Sequence, residues 1–287
     1  WQGMNKQTKK YRIGADIGGT NMKAVLWDGE KVLETYTLST PKDNLEHFLI
    51  MFKALVDPLL ERAQKDEAEV QGIGLGVAAL CEAQNRKVIE APNISILDGV
   101  DLATKIKEKL ELPTQVDNDV NCFVRAEVNV GAAKKYSNVF GLTIGTGIGG
   151  GWWTNGEIYK GHRGGAGEIG RMIISAPQEV ESVYQKLTQG NSANLAEEAY
   201  RGDELAQRSF EEIGYYIGVT CANVINLIDP EVIVIGGGTM EADDLFFPKI
   251  KKTVQELAMH PDAKKIKILK AKLGNEVGAI GAALQID

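Results

Sequence analysis

Three glycine-rich segments and one acidic turn hold the groups in this sequence that are able to do chemistry. In Asp16-Ile-Gly-Gly-Thr-Asn21 a carboxylate ends an apolar run and is followed by two glycines, a hydroxyl and an amide. Gly18 and Gly19 let a phosphate approach the backbone, Thr20 and Asn21 add donors, and Asp16 suits Mg²⁺ held through water. A plain glycine-containing hairpin accounts for the same residues without a ligand. Gly145-Thr-Gly-Ile-Gly-Gly150 contains G-x-G-x-x-G. A dinucleotide fingerprint would run into a helix; here Gly151-Trp-Trp-Thr and Asn155-Gly156 follow, which predicts a hairpin. Protein kinases also carry a glycine loop in a hairpin, but neither H-R-D nor D-F-G follows. Gly236, Gly237 and Gly238 come directly after the apolar Val232–Ile235 run, where they leave room for a flat ring or simply form a turn.

The acidic turn is Val116-Asp-Asn-Asp-Val-Asn121, placed where a strand gives way to a helix. Such strand ends are where α/β proteins bind ligands. Phosphoryl transfer needs a carboxylate to orient the attacking hydroxyl and take its proton, which favours Asp119 as a catalytic base. Asp119 is equally a good helix N-cap, and Asp117 suits a cap or a solvent-facing charge, so spacing alone leaves these roles open.

The elements that must hold these groups repeat along the chain. Gly14 to Glu30 lies over Gly141 to Glu157 without a gap, matching Gly14, Ile17, Gly18, Gly29 and Glu30 to Gly141, Ile144, Gly145, Gly156 and Glu157. Each stretch reads as strand, glycine turn, strand, then Asp28-Gly29 or Asn155-Gly156, whose positive φ angles suit a tight hairpin. Duplication of one unit explains the shared turn chemistry. Apolar spacing predicts helices over 45–68, 102–110, from about 120 to 131, within 193–227 and over 245–259. Strands are predicted over 70–79, from Pro113 to about Val116, and over 231–235. This alternation implies an α/β fold of sheets covered by helices.

Bulk properties narrow the function. The sequence has 287 residues, 44% hydrophobic and 25% charged, with a net charge of −7. That balance gives no footprint for nonspecific nucleic-acid binding. Cys81, Cys122 and Cys221 form no C-x-x-C pair, which fits a reducing compartment. No apolar run reaches the ~20 residues of a membrane span and no signal-peptide core is present, so a cytoplasmic protein is expected. Trp1-Gln2-Gly3 ahead of Met4 reads as an added leader, and the basic Lys6–Arg12 stretch as a solvated tail.

Taken in order, Asp16-Ile-Gly-Gly-Thr-Asn21, Asp117-Asn-Asp-Val-Asn121, Thr143-Ile-Gly-Thr-Gly-Ile-Gly-Gly150, Gly164-Gly-Ala-Gly-Glu-Ile-Gly170 and Asp229-Pro-Glu-Val-Ile-Val-Ile-Gly-Gly-Gly238 resemble the ROK family (repressors, open reading frames, kinases). Leu273 to Ala283 resembles its C-terminal segment. The resemblance implies two ribonuclease-H-like, actin-like ATPase domains around a cleft, with 4–117 plus 276–287 as the smaller and 118–275 as the larger. It also implies an ATP-dependent sugar kinase, glucokinase-like and acting on the 6-hydroxyl, with ATP and Mg²⁺ as cofactors and a homodimer as the assembly. By the same resemblance Asp16 to Asn21 with Thr146 and Gly147 hold phosphates and Mg²⁺, and Gly236 to Gly238 face adenosine. Asp119 becomes the base, while Asn93, Asn118 and Glu168 bind sugar hydroxyls.

The chain departs from the family pattern in one region. Arg171 replaces the usual histidine, and 172–180 has neither cysteine nor histidine, so no zinc site is expected. Glu181 takes the place of the sugar-binding glutamate after that loop, and Arg171 suits a sugar oxygen, an acidic substituent or a pair with Glu168. The alternatives are an N-acetylmannosamine or N-acetylglucosamine kinase, a polyphosphate-using glucokinase, or a catalytically silent sugar-binding protein. A repressor of this family would need a DNA reader, for which Met4–Arg12 is too short.

Overall fold

A computed structural model describes residues 8–287. Trp1-Gln2-Gly3 and the start of the Lys6–Arg12 stretch lie outside the described residues. The chain divides into two compact units. The first runs through Ala126, takes in Lys160–Gly165 and closes with Leu273–Asp287; the second comprises Glu127–Tyr159 and Ala166–Lys272.

The first unit holds β1 (Lys9–Ile17), β2 (Asn21–Trp27), β3 (Val32–Ser39), β4 (Ala68–Val77) and β5 (Thr114–Asn118) in the order β3-β2-β1-β4-β5. The second holds β6 (Val139–Ile144), β7 (Ile148–Thr154), β8 (Glu157–Ile158), β9 (Val232–Gly236) and β10 (Lys267–Lys270) in the order β8-β7-β6-β9-β10. In both sheets the first three strands are antiparallel neighbours, and the fourth and fifth add in parallel. The repeat seen in the sequence is therefore a repeat of topology. Its two hairpins close differently, however. Asn155 and Gly156 both have positive φ (54° and 85°), while of Asp28 and Gly29 only Gly29 does (104°). There Asp28 works through its side chain, which accepts from the amides of Glu30 and Lys31 (both 2.8 Å).

Lys9 to Arg12 belongs to β1, with Tyr11 buried, so this part of the basic stretch is sheet and not a solvated tail. The pleat alternates its residues between core and solvent, which lets lysines and arginine share a strand with core residues.

The helices are α1 (Leu45–Lys65), α2 (Leu102–Leu110), α3 (Asp119–Asn129), α4 (Val180–Thr188), α5 (Ser192–Tyr200), α6 (Glu204–Ile228), α7 (Phe247–Leu257) and α8 (Val277–Ala283). Asn44 starts α1 by accepting from the His47 amide (2.8 Å), and Phe48, Phe52, Leu55, Val56 and Leu59 then bury one face at helical spacing. Each unit has its own apolar core, around Phe48, Phe52 and Leu75 in the first and around Phe210, Phe246 and Ile235 in the second. Helix α8 sits directly on β1 and β4 because the facing residues are small. A Cβ on Gly14 would stand 1.9 Å from the Ala279 carbonyl oxygen, and one on Gly74 1.8 Å from that of Ala282.

Candidate active site

The acidic turn is built at the end of β5, which pairs with β4 so that Gly76 faces Asp117 and Val77 faces Asn118. Gly76 is needed there: a Cβ would come within 3.0 Å of the Cys122 sulfur as α3 begins. Asn118, not Asp119, caps α3. Its Oδ1 accepts from the amides of Val120 (2.8 Å) and Asn121 (3.1 Å), which corrects the reading of Asp119 as the cap. The Asn118 amide then donates to the Ala79 carbonyl (3.1 Å) and to Asp119 Oδ1 (3.0 Å), fixing the carboxylate of the first helical residue. Asn118 thus acts on Asp119 directly, through a side chain whose oxygen and amide both already have partners.

Asp117 is neither a cap nor a solvent-facing charge. It is 1% exposed and accepts from Arg125 Nη2 (2.6 Å), Asn121 Nδ2 (2.9 Å) and the backbone N–H of Asn118 (2.9 Å), with Lys160 Nζ 3.1 Å away. Asn121 and Arg125 fall on one face of α3, four and eight residues on, so the helix folds over the carboxylate. Burial pushes the Asp117 carboxyl up, but the Arg125 guanidinium and the Lys160 ammonium outweigh it and hold it below the ordinary range.

Asp16 ends β1 at the first glycine turn. Burial raises its carboxyl above the ordinary range against the opposing charge of Lys23, and it forms no ion pair among the described residues. No cluster of three or more metal-ligating side chains occurs among the described residues. One desolvated, unpaired carboxylate beside exposed Thr20 and Asn21 fits Mg²⁺, which takes one or two carboxylates and fills its shell with water and phosphate oxygens. Asn93 belongs to this same neighbourhood: a Cβ on Gly19 would lie 2.7 Å from the Asn93 Cβ. Its side chain is exposed, on a turn closed by the Ile94 amide donating to the Ala91 carbonyl (2.9 Å).

In the second unit the other two glycine loops line one cavity of about 730 Å³. Gly145, Thr146, Tyr184, Ser192, Tyr200 and Gly238 are among the residues that line it. Gly147 closes the turn through its carbonyl, which accepts from the Gly145 amide (2.9 Å). The three later glycines divide their work. Gly236 is buried in β9, and Gly237, at φ +96°, sits where a Cβ would be 2.2 Å from the Ile144 carbonyl oxygen. Gly238 has open space in front of it. Tyr200, at the cavity wall, donates to Asp244 (2.6 Å), which pushes its phenol up to about 12. The sequence reading missed Tyr184, Ser192 and Tyr200, although Glu181, Tyr184 and Gln185 share a helical face just after the glycine segments.

Glu168, Arg171 and Glu181 complete the expected set, all in the second unit. Glu168 stands at the surface, yet its carboxyl is desolvated enough to be raised; Arg171 opposes the rise and Glu181 adds to it. Arg171 is exposed and pairs with Glu179 (3.2 Å), not with Glu168. The Glu181 carboxylate accepts from the Ile148 amide (2.8 Å), under the 145–147 turn.

The pattern of the ROK family matches residues 12–184 and 179–286. The chain belongs to the ROK family. A glucokinase of Halalkalibacterium halodurans is 29% identical over 95% of this chain and 93% of its own length. An N-acetyl-D-glucosamine kinase of Mannheimia succiniciproducens is also 29% identical, over 94% and 97%. The crystal structure of a ROK family glucokinase from Streptomyces griseus in complex with glucose and AMPPNP superimposes with a TM-score of 0.80 at 25% identity, covering 96% of this chain and 99% of that one. The two sheets are those of the two actin-like ATPase domains of ROK kinases, and the end-to-end similarity marks the chain as a sugar kinase.

Proposed function

We propose that this ROK protein transfers the terminal phosphoryl group of ATP to a hexose hydroxyl, the 6-hydroxyl of glucose first among them, with Asp119 as the base. The observation that carries this reading is the Asn118–Asp119 pair: one side chain caps α3 and donates 3.0 Å to the neighbouring carboxylate. Asp119 is thereby fixed in orientation at a strand end, and a fixed carboxylate is what aligning a hydroxyl and accepting its proton requires. Asn93, beside the first glycine loop, and Glu168 supply polar groups suited to sugar hydroxyls. The 730 Å³ cavity is large enough for a nucleoside, with Gly238 open toward it and Thr146 at its phosphate end. Mg²⁺, when bound at Asp16, neutralises phosphate charge.

N-acetylglucosamine is the second substrate to test, because a kinase for it is as similar to this chain as a glucokinase is. A coupled ADP-release assay with Mg-ATP against hexoses and N-acylhexosamines, run beside Asp119→Asn, decides the matter. Sugar-dependent turnover that falls ~10²-fold or more in the variant supports the base assignment. Turnover unchanged in Asp119→Asn removes it, and turnover with polyphosphate but not ATP changes the donor.

A further inference from the structure

A trans peptide points its carbonyl and the following N–H in opposite directions, so whatever holds the carbonyls of a loop decides where its amides face. Thr40 does this for the first glycine loop. Its hydroxyl donates to the Gly18 carbonyl (2.7 Å) and its amide to that of Thr20 (2.9 Å). Helix α4 does the same for the second loop. The Tyr184 hydroxyl donates to the Gly145 carbonyl (2.8 Å) and the Gln185 amide to the Thr146 carbonyl, while Glu181 receives the Ile148 amide (2.8 Å). Glu181, Tyr184 and Gln185 are spaced to lie on one face of the helix.

Opposite the Gly18, Gly145 and Thr146 carbonyls are the N–H groups of Gly19, Thr146 and Gly147. None of these three donates to another group among the described residues. The hydroxyls behind the second loop have no proton to offer in their place. The single phenolic proton of Tyr184 goes to Gly145, so Thr239 donates to Tyr184 (2.7 Å) and Ser192 to Thr239 (3.0 Å). That series also ties the second loop to the residue after Gly238.

We propose that Thr40 and Tyr184 are positioning residues, each turning the glycine turn of its own unit into an amide cradle for phosphate oxygens, and that Glu181 serves the second cradle and not the sugar. Neither Thr40 (8% exposed) nor Tyr184 (3% exposed) needs to touch the reacting atoms. Freed from these anchors, the carbonyls can swing their negative ends toward the phosphates. The inference rests on the ATP reading above, and its test separates the two.

The test is calorimetric titration of the full chain with Mg-AMPPNP, with Tm measured in parallel, for wild type, Thr40→Val, Thr40→Ser and Tyr184→Phe. The expected result is about tenfold weaker binding for Thr40→Val and Tyr184→Phe, the scale of a hydrogen bond to a charged group. Thr40→Ser keeps wild-type affinity but loses Tm, because it retains the hydroxyl and gives up a buried methyl. A merely structural role predicts that affinity follows Tm across the variants, so that Thr40→Ser is weakened along with its Tm. Wild-type affinity in both Thr40→Val and Tyr184→Phe overturns the cradle and leaves the ATP reading standing. Wild-type protein that binds no Mg-AMPPNP overturns both.

Discussion

Asp117→Asn is the substitution whose cost the structure defines best. It leaves two cations, Arg125 and Lys160, around a site 1% exposed with no carboxylate to meet them. Removing one partner of a buried ion pair costs about 3–5 kcal/mol, because the remaining charge stays buried. Lys160→Met is expected to behave very differently. The Lys160 ammonium has no partner besides Asp117 among the described residues, whereas Asp117 without it still holds Arg125 and Asn121. Deleting that charge and filling its stem with an apolar one should cost ~1 kcal/mol or less. The assay is scanning calorimetry of the full chain. A loss of ~4 kcal/mol corresponds to roughly 10 °C, and ~1 kcal/mol to a few degrees. The pH dependence gives an independent reading. Asp117 is held below its ordinary value, so its contribution is full above the unfolded carboxylate range (about 3.9) and is lost as pH falls from there through the folded value. Wild type should therefore lose stability below about pH 4 more steeply than Asp117→Asn. Equal losses in Asp117→Asn and Lys160→Met, or a near-neutral Asp117→Asn, would refute the argument.

Gly74→Ala should destabilise the first unit by about 3 kcal/mol or abolish its folding, since the added methyl lies 1.8 Å from the Ala282 backbone oxygen; soluble yield and Tm check it. Asp16→Asn should stabilise the unliganded protein by ~1 kcal/mol while removing most Mg-dependent turnover, because the carboxylate is desolvated without an ion pair. Calorimetry beside the ADP-release assay measures both effects, and a Tm that falls would contradict the first. Asn118→Ala removes a helix cap worth ~1 kcal/mol and the bond that fixes Asp119. Its kcat should fall by more than that stability loss implies, with KM for ATP little changed.

How much of this was legible in the sequence depended on how local each feature is. Both glycine-loop hairpins, the α2 limits at Leu102–Leu110 and the strand-to-helix turn at 116–121 follow from turn chemistry and apolar spacing over a few residues. The match of Gly14–Glu30 to Gly141–Glu157 extended that local signal to the whole topology, and the ordered motifs carried the family. Tertiary structure decided which equivalent side chain does which job. Asp117, Asn118 and Asp119 are all plausible caps by type, and the choice was made by Lys160 and Arg125 closing on Asp117 and by Ala79 receiving Asn118. Thr40 behind Gly18 and Tyr184 behind Gly145 are 22 and 39 residues from their partners, and no turn or period marks them. Hydrogen bonds across such distances exist only once the sheets and helices have packed, because burial is what makes an unpaired carbonyl or carboxylate costly enough to demand a specific partner.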